Sequence, residues 1–206
     1  WIDRERRTTI KGLYAAGDVA GGAPKKYVSG AWVEAKIAIR TAIDEIDNVE
    51  LSHINDDEVD KEKERVSHLV SGKEGIPHEE LERIFHEIMD EYAGGATTHY
   101  ELTETKLIIA RDKLKKLEEK LENLHAEDNH ELVSCLELID RFDVAKVLIE
   151  HLISRQETRW PAYQTRTDYP ERDDNNWLGF VNSIYDPVND RVKIVKRELN
   201  ETLCNI

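Results

Sequence analysis

The sequence predicts a mainly α-helical chain: one strand–turn–helix of the kind that ends an α/β domain, a three-helix antiparallel bundle, and a small C-terminal segment with a β-hairpin. Three observations predict it. Gly12-Leu13-Tyr14-Ala15-Ala16-Gly17-Asp18 reads as a strand that stops at a glycine turn with a carboxylate at its tip, and a helix follows from about Ser29 to Ile46. Residues 77–155 carry apolar side chains at helical spacing, interrupted twice by turn signals. Residues 156–206 gather aromatics and close on two β-type runs.

Residues 1–50 form the first region. Trp32, Val33, Ile37, Ala38, Thr41 and Ala42 give its helix a small-residue apolar face, with Trp32 expected to pack inward. Residues 51–76 are charge-rich, with Asp56-Asp57-Glu58 and Lys61-Glu62-Lys63-Glu64-Arg65, and read as a linker or a further helix. In the third region, 77–155, Pro77 suits a first helical position, and Glu79 and Glu80 suit the first turn. Leu81, Ile84, Phe85, Ile88 and Met89 share a side of that helix, which stops at Gly94-Gly95. Leu107, Ala110, Leu114, Leu117, Leu121 and Leu124 alternate spacings of three and four, an a/d stripe to be buried in the bundle. A third helix, restarted at Asp128, is expected to bury Leu132, Leu136, Ile139, Val144, Val147 and Leu148. In the fourth region, 156–206, Phe180–Ile184 and Arg191–Arg197 read as strands around the turn Asp186-Pro187-Val188-Asn189-Asp190.

Charge excludes some functions. The 206 residues carry a net charge of -14, which argues against a nucleic-acid-binding surface. No apolar run approaches the roughly 20 residues of a membrane helix. Cys135 and Cys204 form no metal or redox motif, cannot alone hold an iron–sulfur cluster, and fit a reducing, cytoplasmic setting. The histidines show no metal-ligand spacing, so no metal site is assigned. The chain opens Trp-Ile-Asp-Arg-Glu-Arg-Arg, with almost nothing before the glycine turn, which suggests a fragment.

In open α/β sheets, ligands bind at the carboxyl ends of strands beside helix N-termini. Asp18 is therefore a candidate acceptor for the ribityl hydroxyls of a flavin. The helix start at Ser29, Gly30 and Ala31 is a candidate donor set for negative charge on the ring. Strand–Gly–Asp turns also occur in α/β proteins that bind nothing there.

The segment Leu13-Tyr14-Ala15-Ala16-Gly17-Asp18 resembles the final FAD-binding segment of the succinate dehydrogenase/fumarate reductase flavoprotein superfamily. Glu157-Thr158-Arg159 and Asp173-Asp174-x-x-Trp177 are similar to the superfamily as a whole. Arg159-Trp160-Pro161-x-Tyr163 and Phe180-Val181-Asn182-Ser183-x-Tyr185-Asp186-Pro187 resemble the adenylylsulfate reductase alpha-subunit family. Tyr27 falls where the dicarboxylate enzymes of the superfamily carry an arginine, and a phenol offers no fork for a carboxylate. The resemblance implies an FAD-dependent oxidoreductase subunit that interconverts adenylylsulfate with AMP and sulfite. It implies electrons from an iron–sulfur beta subunit, and a nucleotide substrate bordered by Tyr27 and Lys25. Arg159 and Arg166 are expected to tie the C-terminal segment to the core through buried carboxylates. The chain alone lacks a Gly-x-Gly-x-x-Gly unit and is expected to be inactive. Two other readings stay open: a fumarate reductase or succinate dehydrogenase-type flavoprotein, and a helical subunit-docking module without catalysis.

Overall fold

The computed structural model describes residues 1–21, 27–48, 53–71 and 74–198. It divides into two compact units, Trp1–Ile54 with Lys196–Ile206, and Asn55–Val195. Lys25 and Cys204 lie outside the described residues.

The first unit is built on helix α1, Tyr27–Glu45. Ahead of it the chain doubles back. The Thr8 N–H donates to Leu13 O at 2.9 Å and the Ala15 N–H to Arg6 O at 3.1 Å. Only an isolated bridge, Arg7 to Tyr14, marks the expected strand, because the extended run finds one short partner among the described residues. The turn Gly17–Val19 follows as one 3-10 turn, with Gly17 at φ +78°.

The buried face of α1 carries Glu34, Ala38 and Thr41. The Thr41 hydroxyl donates to Glu5 O at 3.0 Å. One turn on, Glu45 accepts from Arg7 Nε at 2.6 Å and from the Tyr14 hydroxyl at 2.5 Å. The inward face is thus polar. Trp32 and Val33 do not pack inward; they are 71% and 60% exposed. At 100° per residue Trp32 lies about 200° around the helix from Glu34, so anchoring Glu34 turns Trp32 outward.

The second unit opens with α2, Asp56–Ser71, so the charge-rich stretch is helical. The Asn55 side chain accepts the Asp57 N–H at 3.1 Å at its start, and three acidic residues occupy its first turn. Then come α3 (His78–Tyr92), β1 (Glu101–Leu102), α4 (Glu104–Glu118) and α5 (Asn129–Ser154). Strand β2 (Thr165–Arg166), the single turn α6 (Asp174–Trp177), β3 (Phe180–Asp186) and β4 (Arg191–Arg197) complete the order. Pro77 is the N-cap of α3, with an extended ψ of 141°, rather than its first residue. Helix α3 ends at Gly94, where φ is +79° and a Cβ would approach the Leu102 side chain to 2.4 Å. Thr103 and Asp128 cap α4 and α5 through their side chains.

The three helices bury Leu81, Phe85 and Ile88 of α3, Ala110, Leu114 and Leu117 of α4, and a long face of α5. That face is Cys135, Leu138, Phe142, Ala145 and Ile149; Leu132, Leu136 and Ile139 pack against it partly buried, as expected, while Val144 and Leu148 are exposed. Val144 is 66% exposed. Helix α5 is apolar around much of its girth, and the stripe spaced by threes and fours from Cys135 meets the a/d stripe of α4. Phe142 packs against Phe85 with the rings tilted and their centroids 5.0 Å apart. The α4 stripe is buried to Leu117, but the helix stops at Glu118, and a 3-10 turn, Leu121–Asn123, carries the chain to buried Leu124.

Strands β1 and β2 pair in parallel, Glu101 with Thr165 and Leu102 with Arg166. The hairpin β3–β4 turns at Asp186, whose carboxylate accepts the N–H groups of Val188 and Asn189 at 3.1 and 3.3 Å.

Phe142→Ala should lower unfolding free energy by about 3–5 kcal/mol in urea titrations. Val144→Ala should change it by less than about 0.5 kcal/mol. The reverse order would contradict the buried face of α5.

Candidate functional site

Two constellations bring chemistry together, one in each unit. In the first, the glycine turn lies against the first turns of α1. The Gly17 N–H donates to Glu34 Oε2 at 2.9 Å, and Arg6 Nη2 stands 3.4 Å from the same carboxylate. A Cβ on Gly17 would meet the Ala31 Cβ at 3.5 Å. The positive φ of Gly17 is what turns Asp18 out to the tip. Asp18 is exposed and has no bonding partner among the described residues. Helix α1 starts at Tyr27, earlier than Ser29. Ser29 and Gly30 therefore lie in its first turn, where free N–H groups gather, while Ala31 begins the second. Tyr27 heads the helix at φ +51° with 73% exposure. A left-handed tyrosine is strained, and such residues cluster at functional sites.

The second constellation is a charge cluster at the end of α5. Glu157 is 1% exposed. Its carboxylate accepts from Arg159 Nε and Nη2 at 2.7 and 2.8 Å, from Arg155 Nη1 at 2.6 Å, and from the Asp173 N–H at 2.9 Å. Burial opposes its charge, yet bonds from Arg159, the Asp173 amide and Arg155 outweigh it and hold the carboxyl below the ordinary range.

Arg166 is equally buried, at 2%. Its Nη1 donates to the carbonyls of Leu152 and Arg155 at 2.6 and 2.7 Å, where α5 leaves carbonyls without helical partners. Its Nε and Nη2 grip Asp168 at 2.8 and 2.9 Å. Asp168 in turn accepts the N–H of Glu104, the first residue of α4, at 2.7 Å. A cation thus sits at a helix C-terminus and an anion at a helix N-terminus, as both dipoles favour. Thr158 joins them: its hydroxyl accepts the Arg166 N–H and donates to Tyr169 O, each at 2.9 Å. A cavity of about 230 Å³ lies beside this cluster, floored by Leu102 and Leu152.

The sequence profile of the family described as "Fumarate reductase flavoprotein C-term" matches residues 82–205. The chain belongs to this family. Its charge cluster lies within the matched residues; the glycine turn precedes them. The alpha subunit of adenylylsulfate reductase from Megalodesulfovibrio gigas is 30% identical over 207 residues, covering 93% of this chain and 31% of that protein. The solved adenylylsulfate reductase of the hyperthermophile Archaeoglobus fulgidus superposes with a TM-score of 0.88 at 35% identity, over 96% of this chain and 33% of that one. E. coli quinol fumarate reductase shares the fold, with a TM-score of 0.78 at 20% identity over 98% of this chain and 36% of that one. The chain spans about a third of the length of these relatives. No helix among the described residues is long and apolar enough to cross a membrane.

For this flavoprotein C-terminal region, the arginines at 159 and 166 take the structural role expected of them. The carboxylates they need are Glu157, Asp168 and Asp174, of which Glu157 and Asp174 lie within the motifs that carry the resemblance. Glu34 is the residue that sequence reasoning missed, since a glutamate on a helix reads as solvated. Its only signal is the spacing of seven and eleven to Thr41 and Glu45, which places all three on one face.

The low carboxyl pKa of Asp168 comes first from Arg166, with the Glu104 amide adding to it against burial. A depressed folded pKa stabilises above the unfolded value, about 3.9 for Asp and 4.3 for Glu, and that stability goes as pH falls through the folded value. Stability should therefore hold from pH 7 to about 5 and fall below about 4. Asp168→Asn should lower stability at pH 7 by about 3 kcal/mol and flatten the acid limb in urea titrations. An unchanged acid limb would contradict the clamp.

Proposed function

We propose that this chain is the C-terminal third of an FAD-dependent oxidoreductase subunit of the adenylylsulfate reductase type, which interconverts adenylylsulfate with AMP and sulfite. The observation that carries the reading is Tyr27, standing exposed at the head of α1. The dicarboxylate-using branch that the sequence resembles more weakly needs an arginine there. The likeness to adenylylsulfate reductases at 30% and 35% identity, against 20% for fumarate reductase, supports the same branch.

The residues fit the flavin. Asp18 is a carboxylate without a partner among the described residues, at a turn whose glycine permits close backbone approach. It would accept hydrogen bonds from the ribityl hydroxyls. Ser29 and Gly30, in the first turn of α1, would face negative charge on the ring, and the helix dipole favours that charge. FAD supplies the two-electron transfer. Tyr27 and Lys25 would border the nucleotide, with Tyr27 excluding a carboxylate substrate rather than binding one. The Megalodesulfovibrio relative is called subunit alpha, which supports a partner, and an iron–sulfur beta subunit would deliver the electrons. A cytoplasmic setting suits this chemistry.

Helix α1 supports the reading further. Val28, Trp32, Ile39 and Ile43 are 73%, 71%, 59% and 63% exposed, an apolar face that the longer flavoprotein would cover.

Assayed with a reduced dye, the full-length protein should convert adenylylsulfate to AMP and sulfite and leave fumarate unchanged. Fumarate turnover without adenylylsulfate turnover would overturn the proposal. Asp18→Ala in that protein should weaken FAD binding roughly ten- to hundredfold, the equivalent of about 1.5–3 kcal/mol for a charge-assisted bond. The 206-residue chain alone should bind no stoichiometric FAD, as read from its absorption spectrum.

A further inference from the structure

We propose that the cavity beside the end of α5 binds a small oxyanion, a carboxylate or a sulfate-type ion, on the open edge of the Arg155 guanidinium. The site lies within the second unit and uses none of the residues proposed to hold the flavin. Three arginines, 155, 159 and 166, and one carboxylate, Glu157, line the walls. Asp168 and Asp174, just outside the lining, compensate Arg166 and Arg159, so the guanidinium left to meet an anion in this concave wall is that of Arg155.

The three arginines differ in one respect. A guanidinium grips a carboxylate best along the edge formed by Nε and Nη2. Arg166 spends that edge on Asp168, and Arg159 spends it on Glu157. Arg155 gives Glu157 only its Nη1, at 2.6 Å. Its guanidinium lies over the Trp177 ring, 5.3 Å from the centroid, which fixes the plane of the group. The Nε–Nη2 edge of Arg155 has no partner among the described residues. Its side chain is 29% exposed, so the edge is partly withdrawn from water and still reachable. Glu157 presents little net repulsion, because Arg159 and the Asp173 amide already compensate it.

The rim adds neutral donors. Trp160 and Gln164 line the cavity, and neither side chain makes a hydrogen bond among the described residues. Both are carried by one tight turn. The N–H groups of Tyr163 and Gln164 converge on Trp160 O at 3.1 and 2.9 Å. Ala162 is held at φ +68°, and its N–H donates to Thr165 Oγ1 at 3.1 Å. A rim fixed by its own backbone loses little entropy when it takes a ligand. A volume of about 230 Å³ admits a few waters or one small oxyanion.

Calorimetric titration of the 206-residue chain with sodium sulfate, and separately with sodium acetate, tests this at ionic strength held constant with chloride. At least one anion should bind saturably at one site in the millimolar range, and the two arms identify which oxyanion the edge prefers. Arg155→Lys keeps the charge and loses the fork, and should weaken binding at least tenfold. Gln164→Met, on the exposed rim, should weaken it about threefold, roughly one neutral hydrogen bond. Arg191→Lys, outside the cavity, should bind as the parent does. Heats no greater than chloride for both anions would overturn the proposal. So would parent-like binding by Arg155→Lys and Gln164→Met. Circular dichroism establishes that each variant is folded, and if Arg155→Lys is not, the Gln164→Met result decides.

Discussion

Arg166 and Asp168 answer two helix ends of opposite polarity with two opposite charges. The guanidinium satisfies carbonyls that α5 leaves open at its C-terminus, and the carboxylate satisfies an amide that α4 leaves open at its N-terminus. Each group is worth more because the other is bonded to it, since neither charge is left uncompensated in a poorly solvated place. Much of the C-terminal segment follows from this placement. Leu102 and Arg166 become partners in a parallel pair, and the chain is brought to where Glu157 can collect Arg155, Arg159 and the start of α6. The bundle supplies apolar mass, while this clamp sets where the following residues go.

Helix α1 follows a different rule. Its buried side is chosen largely by hydrogen bonds, through Glu34, Thr41 and Glu45, and Trp32, Val33, Ile39 and Ile43 face out. Hydrophobic pattern alone would turn it the other way. With Trp32 and Ile43 exposed, those polar anchors hold the helix where it stands. The same anchoring connects structure to the flavin reading. Glu34 holds the Gly17 amide, Gly17 sets the turn, and the turn presents Asp18.

The bundle was legible because its signals are local. Asp128 and Thr103 act as caps, Gly94 ends α3, and the stripe from Leu107 to Leu117 is buried as its spacing requires. The face of α5 was not legible, because Val144 and Leu148 are as apolar as Leu138 and Phe142, and only the neighbouring helices choose between them. Trp32 misled for the same reason: its direction is set by Glu34, whose role depends on an amide 17 residues away. At the site, the structural role of Arg159 was legible in its motif, Arg166 takes the tie to the core expected of it, and the turn carrying Asp18 was legible too. The start of α1 shifted by two residues to Tyr27, moving Ala31 out of the first turn. Lys25 lies outside the described residues.

A crystal structure of the full-length flavoprotein with FAD and AMP would show whether the glycine turn belongs to a flavin site that takes a nucleotide. The Asp18 carboxylate should stand within hydrogen-bond distance of the ribityl chain, Tyr27 should border the nucleotide, and Trp32 and Ile43 should be covered by the rest of the polypeptide. Asp18 facing solvent away from the flavin, with Tyr27 remote from the nucleotide, would contradict it.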